Sequence, residues 1–188
     1  MSMTDAELFV STAQSRIKRD GIAQLLTWLS TTDFYTAPAS TRFHGAEPEG
    51  LLKHSLNVYA RLLELVDWYK LEVDPESVAI VALFHDLCKV DSYKVAMRNS
   101  KNEKTGQWEK VPYYTKKEDY AFGGHGSKSV YLVMNFMKLL PEEAAAINAH
   151  MSSWDSSSYN NAGDVYEQNT LAWLLHVADE AATYIDKT

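Results

Sequence analysis

The stretch from Pro75 to Leu87 constrains this chain more than any other, because it is apolar on nearly every side from Val78 to Phe84 and then presents His85-Asp86. A helix that is hydrophobic all round belongs in the centre of a fold, and Asp74 followed by Pro75 is a helix-start signal. An ionised Asp at the end of such a helix is costly unless it is paired or bound to a metal. Neighbouring helical positions differ by about 100°, so the two side chains can converge beside the helix, and an imidazole with a carboxylate suits a divalent transition metal. A buried, hydrogen-bonded His-Asp pair meets the same demand, and these two residues alone leave both readings open.

The rest of the chain supplies helices to surround that segment. Apolar residues recur at helical spacing from Leu8 to Ile17 and from Ile22 to Leu29, and Leu52, Leu56, Tyr59, Leu63 and Val66 mark a helix over Leu51 to Lys70. Thr31 to Gly50 is loop chemistry with Phe34, Tyr35 and Phe43 as aromatic anchors. Gly123 to Gly126 opens a helix expected to run from Ser127 to Leu140, and Pro141 starts another reaching about Met151. After the Ser-, Asn- and Gly-rich loop Ser152 to Gly163, with Ser156 to Ser158 as its low-complexity tract, one last helix is expected over Val165 to Ile185. Between Tyr93 and Tyr120 the period changes: Tyr93, Val95 and Met97 alternate with polar residues around a turn-like Asn102 to Gly106, which predicts a β-hairpin insertion. With 188 residues, the sequence fits one domain.

Charge and cysteine usage narrow the function. The formal charge of -7 is opposite to the footprint of a protein held on nucleic acid by charge alone, so stable non-specific duplex binding is not expected. The one cysteine, Cys88, excludes an internal disulfide and a Cys-rich zinc site, and it suits a reducing compartment. No apolar run approaches a membrane span, and a cytoplasmic location is expected.

Further residues point toward the same centre. His54 falls at the margin of the apolar arc of its helix, where a cavity-lining residue sits. Asp179 lies among Leu174, Leu175, Val177, Ala178, Ala181 and Ala182, where a bare carboxylate again needs a partner. His125 lies in Gly123-Gly124-His125-Gly126 at a helix N-terminus, a setting that also favours anions, and His150 ends a helix. Lys89 follows His85 by four residues, which on a continuous helix puts both on one face; it is either a phosphate-facing ammonium or a C-terminal helix cation. Lys128, in the first turn of its helix, is an odd choice against the dipole, which favours a phosphate-binding role. His44 and His176 read as residues packed against the others. Singly, each has a structural or solvated alternative.

In order, the pieces Gly50-Leu51-Leu52-Lys53-His54-Ser55-Leu56, Ala82-Leu83-Phe84-His85-Asp86-Leu87-Cys88-Lys89, Gly124-His125-Gly126-Ser127-Lys128-Ser129, Ala149-His150-Met151 and His176-Val177-Ala178-Asp179 resemble the HD-domain metal-dependent phosphohydrolases. The likeness covers Thr41 to Tyr184, and it is greatest to the small bacterial and phage HD hydrolases and to the HD domain of bacterial 3′-to-5′ exoribonucleases. It departs from the family just before the first histidine, where paired glycines are common and Glu49-Gly50 stands here. The resemblance implies an all-α HD-type helical bundle with the β-hairpin inserted near residues 93–120. It implies a single domain over 1–188, with N-terminal helices in 1–40 and the HD core in 41–186.

The resemblance also implies a first metal held by His54, His85, Asp86 and Asp179, with Asp86 able to bridge to a second. His125 and His150 match the additional histidines that hold a second metal or bind substrate phosphate. One or two divalent ions are expected, with Mn, Fe, Ni, Co or Zn favoured over Mg alone by the imidazole-rich set. The expected activity is hydrolysis of phosphoester bonds in nucleotides or short single-stranded oligonucleotides, with Asp86 and Lys89 catalytic and Lys89 and Lys128 binding substrate. The alternatives are a nucleotide phosphatase or triphosphohydrolase and a catalytically inactive metal-binding module. Cys88 is expected to pack beside the site without acting as a nucleophile. The insertion carries Lys94, Arg98, Lys101, Lys104, Lys110, Lys116 and Lys117 against Glu103, Glu109, Glu118 and Asp119. With Trp108, Tyr113 and Tyr114 it can form a wall that stacks a base and screens phosphates, or a solvated hairpin with its aromatics folded inward.

Overall fold

Asp74 starts the central helix as its sequence predicts, its carboxylate accepting from the amides of Glu76 and Ser77 at 3.4 and 3.1 Å. The computed structural model describes residues 3–42, 44–155 and 161–188, so the expectations for Phe43 and for Ser156 to Ser158 lie outside the described residues. Its helices are α1 (Asp5–Arg16), α2 (Ile22–Leu29), α3 (Gly50–Tyr69), α4 (Pro75–Phe84), α5 (His125–Met134), α6 (Pro141–Ala149), α7 (Ala162–Gln168) and α8 (Thr170–Ala181). Every residue of α4 from Ser77 to Phe84 is buried, as an all-apolar helix requires. Helices α1, α3, α6 and α8 pack around it. One cluster of buried side chains joins Phe9 of α1 and Phe34 to Phe84, with ring centroids 4.9 Å apart for Phe9–Phe34 and 6.0 Å for Phe9–Phe84. The fold is mostly α, with one β-hairpin.

The N-terminal helices are also tied in by charge. Arg19, in the link between α1 and α2, makes a two-pronged contact with Glu143 of α6 at 2.5 and 2.9 Å. The Glu143 side chain is fully buried and accepts as well from the Ser77 hydroxyl at 2.7 Å and the Leu140 amide at 2.7 Å. A buried carboxylate is tolerated when its lone pairs are filled in this way.

The hairpin is where the change of period predicts it. Strand β1 (Tyr93–Lys101) pairs antiparallel with β2 (Trp108–Lys116), with Tyr93 opposite Lys116 at the base and Lys101 opposite Trp108 at the tip. Val95, Met97 and Trp108 are exposed, so most of the ribbon stands in solvent. Its base is fixed by the buried Tyr93 and by the Lys117 amide donating to the Ser92 carbonyl at 2.9 Å.

Three helices differ from their expected lengths, each for a local reason. Helix α4 stops at Phe84 instead of Leu87. His85 caps it, Asp86 leaves the helical region at φ -108° and ψ 21°, and Leu87–Lys89 forms a 3-10 turn. There the Cys88 amide donates to the Ser129 hydroxyl of α5 at 3.1 Å, outside the helical ladder. The continuous-helix argument that put Lys89 on the face of His85 therefore does not hold. Helix α5 ends at Met134 instead of Leu140, because the chain turns over to stack Phe136 on Trp28 and to present the Lys138 carbonyl to Arg19 at 3.1 Å. The last expected helix is two: Asn169, at φ -137° and ψ 94°, caps α8 with its side chain accepting from Ala172, while its amide donates to the Glu142 carbonyl at 2.8 Å. Asparagine favours such caps over helix interiors. A π-helical turn, Ala182–Asp186, follows α8.

Candidate metal centre

Two histidines use the same device on different helices. His85 is the C-cap of α4 and His150 that of α6. Each turns Nδ1 back onto the carbonyl three residues earlier, Ala82 at 2.8 Å and Ile147 at 2.7 Å. The last carbonyls of a helix have no intrahelical partner, so each ring satisfies one of them and is thereby aimed, with Nε2 pointing away from its own helix. His54, in α3, is oriented from the far end of the sequence: its Nδ1 donates to the Thr188 main-chain oxygen at 3.1 Å. That segment is held by the Asn57 amide donating to the Thr188 hydroxyl at 3.2 Å and by the Arg61–Asp186 ion pair at 2.5 Å.

The three Nε2 atoms meet two carboxylates. His54 Nε2 lies 3.3 Å from His85 Nε2, 3.0 Å from Asp179 Oδ1 and 3.6 Å from Asp86 Oδ2. His85 Nε2 is 3.5 Å from Asp86 Oδ2 and 3.9 Å from Asp179 Oδ1, and His150 Nε2 is 3.6 Å from Asp86 Oδ1. All five side chains are buried. With each Nδ1 spent on a carbonyl, rings left neutral would turn Nε2 lone pairs toward one another and toward carboxylate oxygens. That arrangement repels itself unless positive charge sits among the rings, and His150 Nε2 is a buried atom with no hydrogen-bond partner. Anchored Nδ1, free Nε2 and neighbouring carboxylates are the donor pattern of a divalent transition metal.

The donors form three overlapping groups, each with its ligand atoms within 4.8 Å of one another: His54, His85 and Asp86; His85, His150 and Asp179; and Asp86, Cys88 and His125. Burial alone would raise the Asp86 carboxyl, but the facing Lys89 ammonium and the His85 and His150 rings outweigh it and hold it well below its ordinary value. Asp179 follows the same balance, with burial opposed chiefly by His54.

His125, the first residue of α5, is brought in by close backbone packing. A side chain at Gly126 would place its Cβ 2.3 Å from the Asn148 carbonyl oxygen, so only glycine lets α5 approach α6 this closely. The Gly126 amide donates to Asp155 at 3.1 Å. The His125 Nδ1 is buried without a hydrogen-bond partner, while Nε2 accepts from the Lys116 ammonium at 3.5 Å. Gly50 plays the matching part for His54, since a Cβ there would lie 2.0 Å from the Gly45 carbonyl oxygen. The preceding Glu49 takes the left-handed conformation, φ 65° and ψ 6°, that a glycine would adopt freely.

The cations divide between the cluster and its rim. The Lys89 ammonium is 2.5 Å from Asp86 Oδ2 and buried; desolvation lowers its pKa, yet the Asp86 carboxylate outweighs this and keeps it protonated. Lys128 bonds Asp119 and the Ser92 hydroxyl, the latter at 3.2 Å. Burial, with Asp86 adding to it, outweighs Lys89 and Lys128 and pushes the Cys88 thiol up to about 12, so it stays protonated and is not the thiolate a nucleophile needs. His44 lies against His54 with centroids 5.2 Å apart, and burial lowers its pKa to about 4. His176 donates from Nδ1 to the His150 carbonyl at 2.8 Å and stacks on Tyr166. Sequence reasoning missed Asp155, Thr188 and Lys116. Asp155 accepts from a main-chain amide and Thr188 offers its main-chain oxygen to a side chain, both far apart in sequence, which no local pattern encodes; the third was legible only as one of seven basic residues in the insertion.

A family model for the HD domain matches residues 51–184. No curated protein and no solved structure gives a significant match. Since that match covers well over half of the sequence and takes in His54, His85-Asp86, His125, His150 and Asp179, the chain belongs to the HD-domain family, whose members are mostly metal-dependent hydrolases.

Proposed function

We propose that this protein is a divalent-metal-dependent phosphohydrolase acting on nucleotides or short single-stranded oligonucleotides. The observation that carries this reading is the set of three imidazoles with Nδ1 tied to main-chain oxygens and Nε2 turned toward Asp86 and Asp179. His54, His85, Asp86 and Asp179 would hold a first ion, and Asp86, His125 and His150 would supply donors for a second. A divalent ion bound there supplies Lewis acidity, lowering the pKa of water and offsetting charge on phosphoryl oxygens. The donor set favours Mn, Fe, Ni, Co or Zn over Mg alone.

The protein's own groups orient and balance charge. Asp86 supplies the negative charge that balances the cation, and Lys89, held protonated beside it, presents an ammonium to a phosphate oxygen once a substrate enters. Lys128 adds a second cation at the N-terminal turn of α5, where backbone amides also favour an anion. No nucleophilic side chain is needed. The same reading places the protein in the cytoplasm, which suits its single buried thiol; among the described residues no helix is long and apolar enough to cross a membrane.

The test is metal analysis of the purified protein, followed by a screen of nucleotides and short single strands with added Mn²⁺, Mg²⁺, Ni²⁺ or Zn²⁺. Stoichiometric metal with release of inorganic phosphate, triphosphate or a nucleoside monophosphate is expected, and the product identifies the bond cleaved. Bound metal with every substrate left intact would reduce the protein to a binding module.

A further inference from the structure

Beside the donor cluster, between the hairpin base and the start of α5, lies a cavity of about 370 Å³. Cys88 and His125 line it and also belong to the third donor group, so the cavity opens directly onto the metal centre. Its charged lining is four lysines, Lys89, Lys116, Lys117 and Lys128, against one carboxylate, Asp119, in a chain whose net charge is -7. Two of these cations are already committed, Lys89 to Asp86 and Lys128 to Asp119. Among the described residues neither Lys116 nor Lys117 forms a close ion pair with a carboxylate; the Lys116 ammonium rests against His125, and Lys117 acts on the Asp33 carboxylate only through its field. Tyr93 and Phe122 add aromatic wall. The aromatics expected for this role from the sequence, Trp108, Tyr113 and Tyr114, are not part of the lining.

We propose that the hairpin insertion determines substrate choice, with Lys116 and Lys117 taking the phosphate of a small phosphate ester seated in this cavity, its organic part against Tyr93 and Phe122. The proposal rests on the phosphohydrolase reading and makes it specific. Two ammonium groups outside any close ion pair favour a dianionic terminal phosphate over a neutral ligand. The volume lies at the small end of the roughly 300–1,000 Å³ of small-molecule sites, which fits one nucleotide and excludes several residues of a strand. Lys116 is the last residue of β2, paired with the buried Tyr93, so the base of the hairpin fixes where its backbone sits. That base is built by residues 92–117, which makes the insertion part of the site.

Calorimetric titration of the full protein with AMP, adenosine, inorganic phosphate and hexathymidylate tests this, with and without Mn²⁺, in wild type, K116Q, K117Q, the double variant, K116R and the turn variant K104Q. AMP is expected to bind and adenosine to bind far more weakly. Each Gln variant is expected to lose about tenfold to a hundredfold in AMP affinity, the worth of one charge-assisted hydrogen bond. K116R should retain most of the affinity, and K104Q should match wild type. Unchanged AMP binding in the double variant, adenosine binding as tightly as AMP, or hexathymidylate binding more tightly than AMP would each overturn the proposal. Turnover is read separately, on AMP, ATP and hexathymidylate: lysine-dependent AMP binding with all three left intact upholds the pocket and ends the hydrolase reading, whereas turnover of AMP with an unchanged KM in the double variant ends the pocket and leaves the hydrolase.

Discussion

The donor cluster and the hairpin-lined cavity lie side by side yet are built by opposite means. In the cluster, each of three rings is fixed by a main-chain oxygen, the side chains are buried, and the surrounding helices pack on an apolar core. On the cavity side, polar groups meet polar groups at the surface: Lys116 faces His125, Lys128 faces Asp119, and the strands run outward into solvent. Close-packed interiors hold geometry to fractions of an ångström, which ligands of a metal need. Exposed lysines hold position loosely and adapt to an incoming anion. On the proposed function, the difference would separate a part of the molecule set to do one chemistry from a part free to choose what it is done to.

The comparison breaks most sharply at Asp86. Asp86→Asn keeps the size and one oxygen but removes the charge that balances a cation, so metal affinity and turnover are expected to fall by about a hundredfold or more while the fold persists. Metal content and hydrolysis measured on the folded variant decide it, and near wild-type values for both would reduce the cluster to a structural hydrogen-bond network.

Arg19→Ala tests the rigid side without touching a donor. It leaves the fully buried Glu143 without its two-pronged partner, so a loss of about 3 kcal/mol is expected from urea unfolding. A loss below about 1 kcal/mol would be that of a surface ion pair and would mean that α6 does not depend on this tie.

Metal removal gives a smaller and tunable effect. At a free ion concentration of about 100 times the dissociation constant, binding to the folded state alone contributes about 2.7 kcal/mol. Chelation is therefore expected to lower the thermal midpoint of wild type and leave that of Asp86→Asn nearly unchanged. Equal shifts in both proteins would place the ion elsewhere.

How much of this was legible in the sequence follows the same division. Periodicity locates the helices and the hairpin because both depend on local pattern; His85-Asp86 and Asp179 stand out as polar residues in apolar surroundings and His54 as one at the margin of an apolar arc, whereas His125 and His150 join them through the resemblance to the HD-domain family. Helix ends were less legible. That α4 stops at Phe84 depends on Ser129 taking the Cys88 amide, a contact between residues far apart in sequence. The break at Asn169 was locally encoded, since Asn is a cap residue, but an unbroken apolar period hid it. Lys89 was singled out through a continuous helix that does not exist; a tight turn brings it to Asp86 instead. The cavity was the least legible part, because it depends on where the hairpin base packs and no spacing in the sequence states that.

Glu49→Gly probes a place where backbone strain borders the cluster. At φ 65° and ψ 6°, a Cβ costs about 1–2 kcal/mol that glycine does not incur, and the added freedom of the unfolded chain offsets about 0.5–1 kcal/mol of that. A net gain of about 0.5 kcal/mol is expected, with metal content unchanged. A loss of stability would show that the exposed Glu49–Lys53 pair contributes more than such pairs usually do.

The smallest effect is expected at the far end of the hairpin. Trp108 is a large aromatic in the basic insertion, so sequence made it a candidate base-stacking residue, yet it pairs with Lys101 at the tip and is 71% exposed. Tyr93, at the other end of the same ribbon, is 8% exposed and lines the cavity. Trp108→Ala is therefore expected to leave unfolding free energy within about 0.5 kcal/mol of wild type, as for an exposed side chain with little to lose, and to leave AMP affinity unchanged. Tyr93→Ala, by contrast, should weaken both. If Trp108→Ala instead reduced AMP binding while Tyr93→Ala did not, the ribbon would have to fold over the site during binding, and the division between a fixed hairpin base and an idle tip would be wrong.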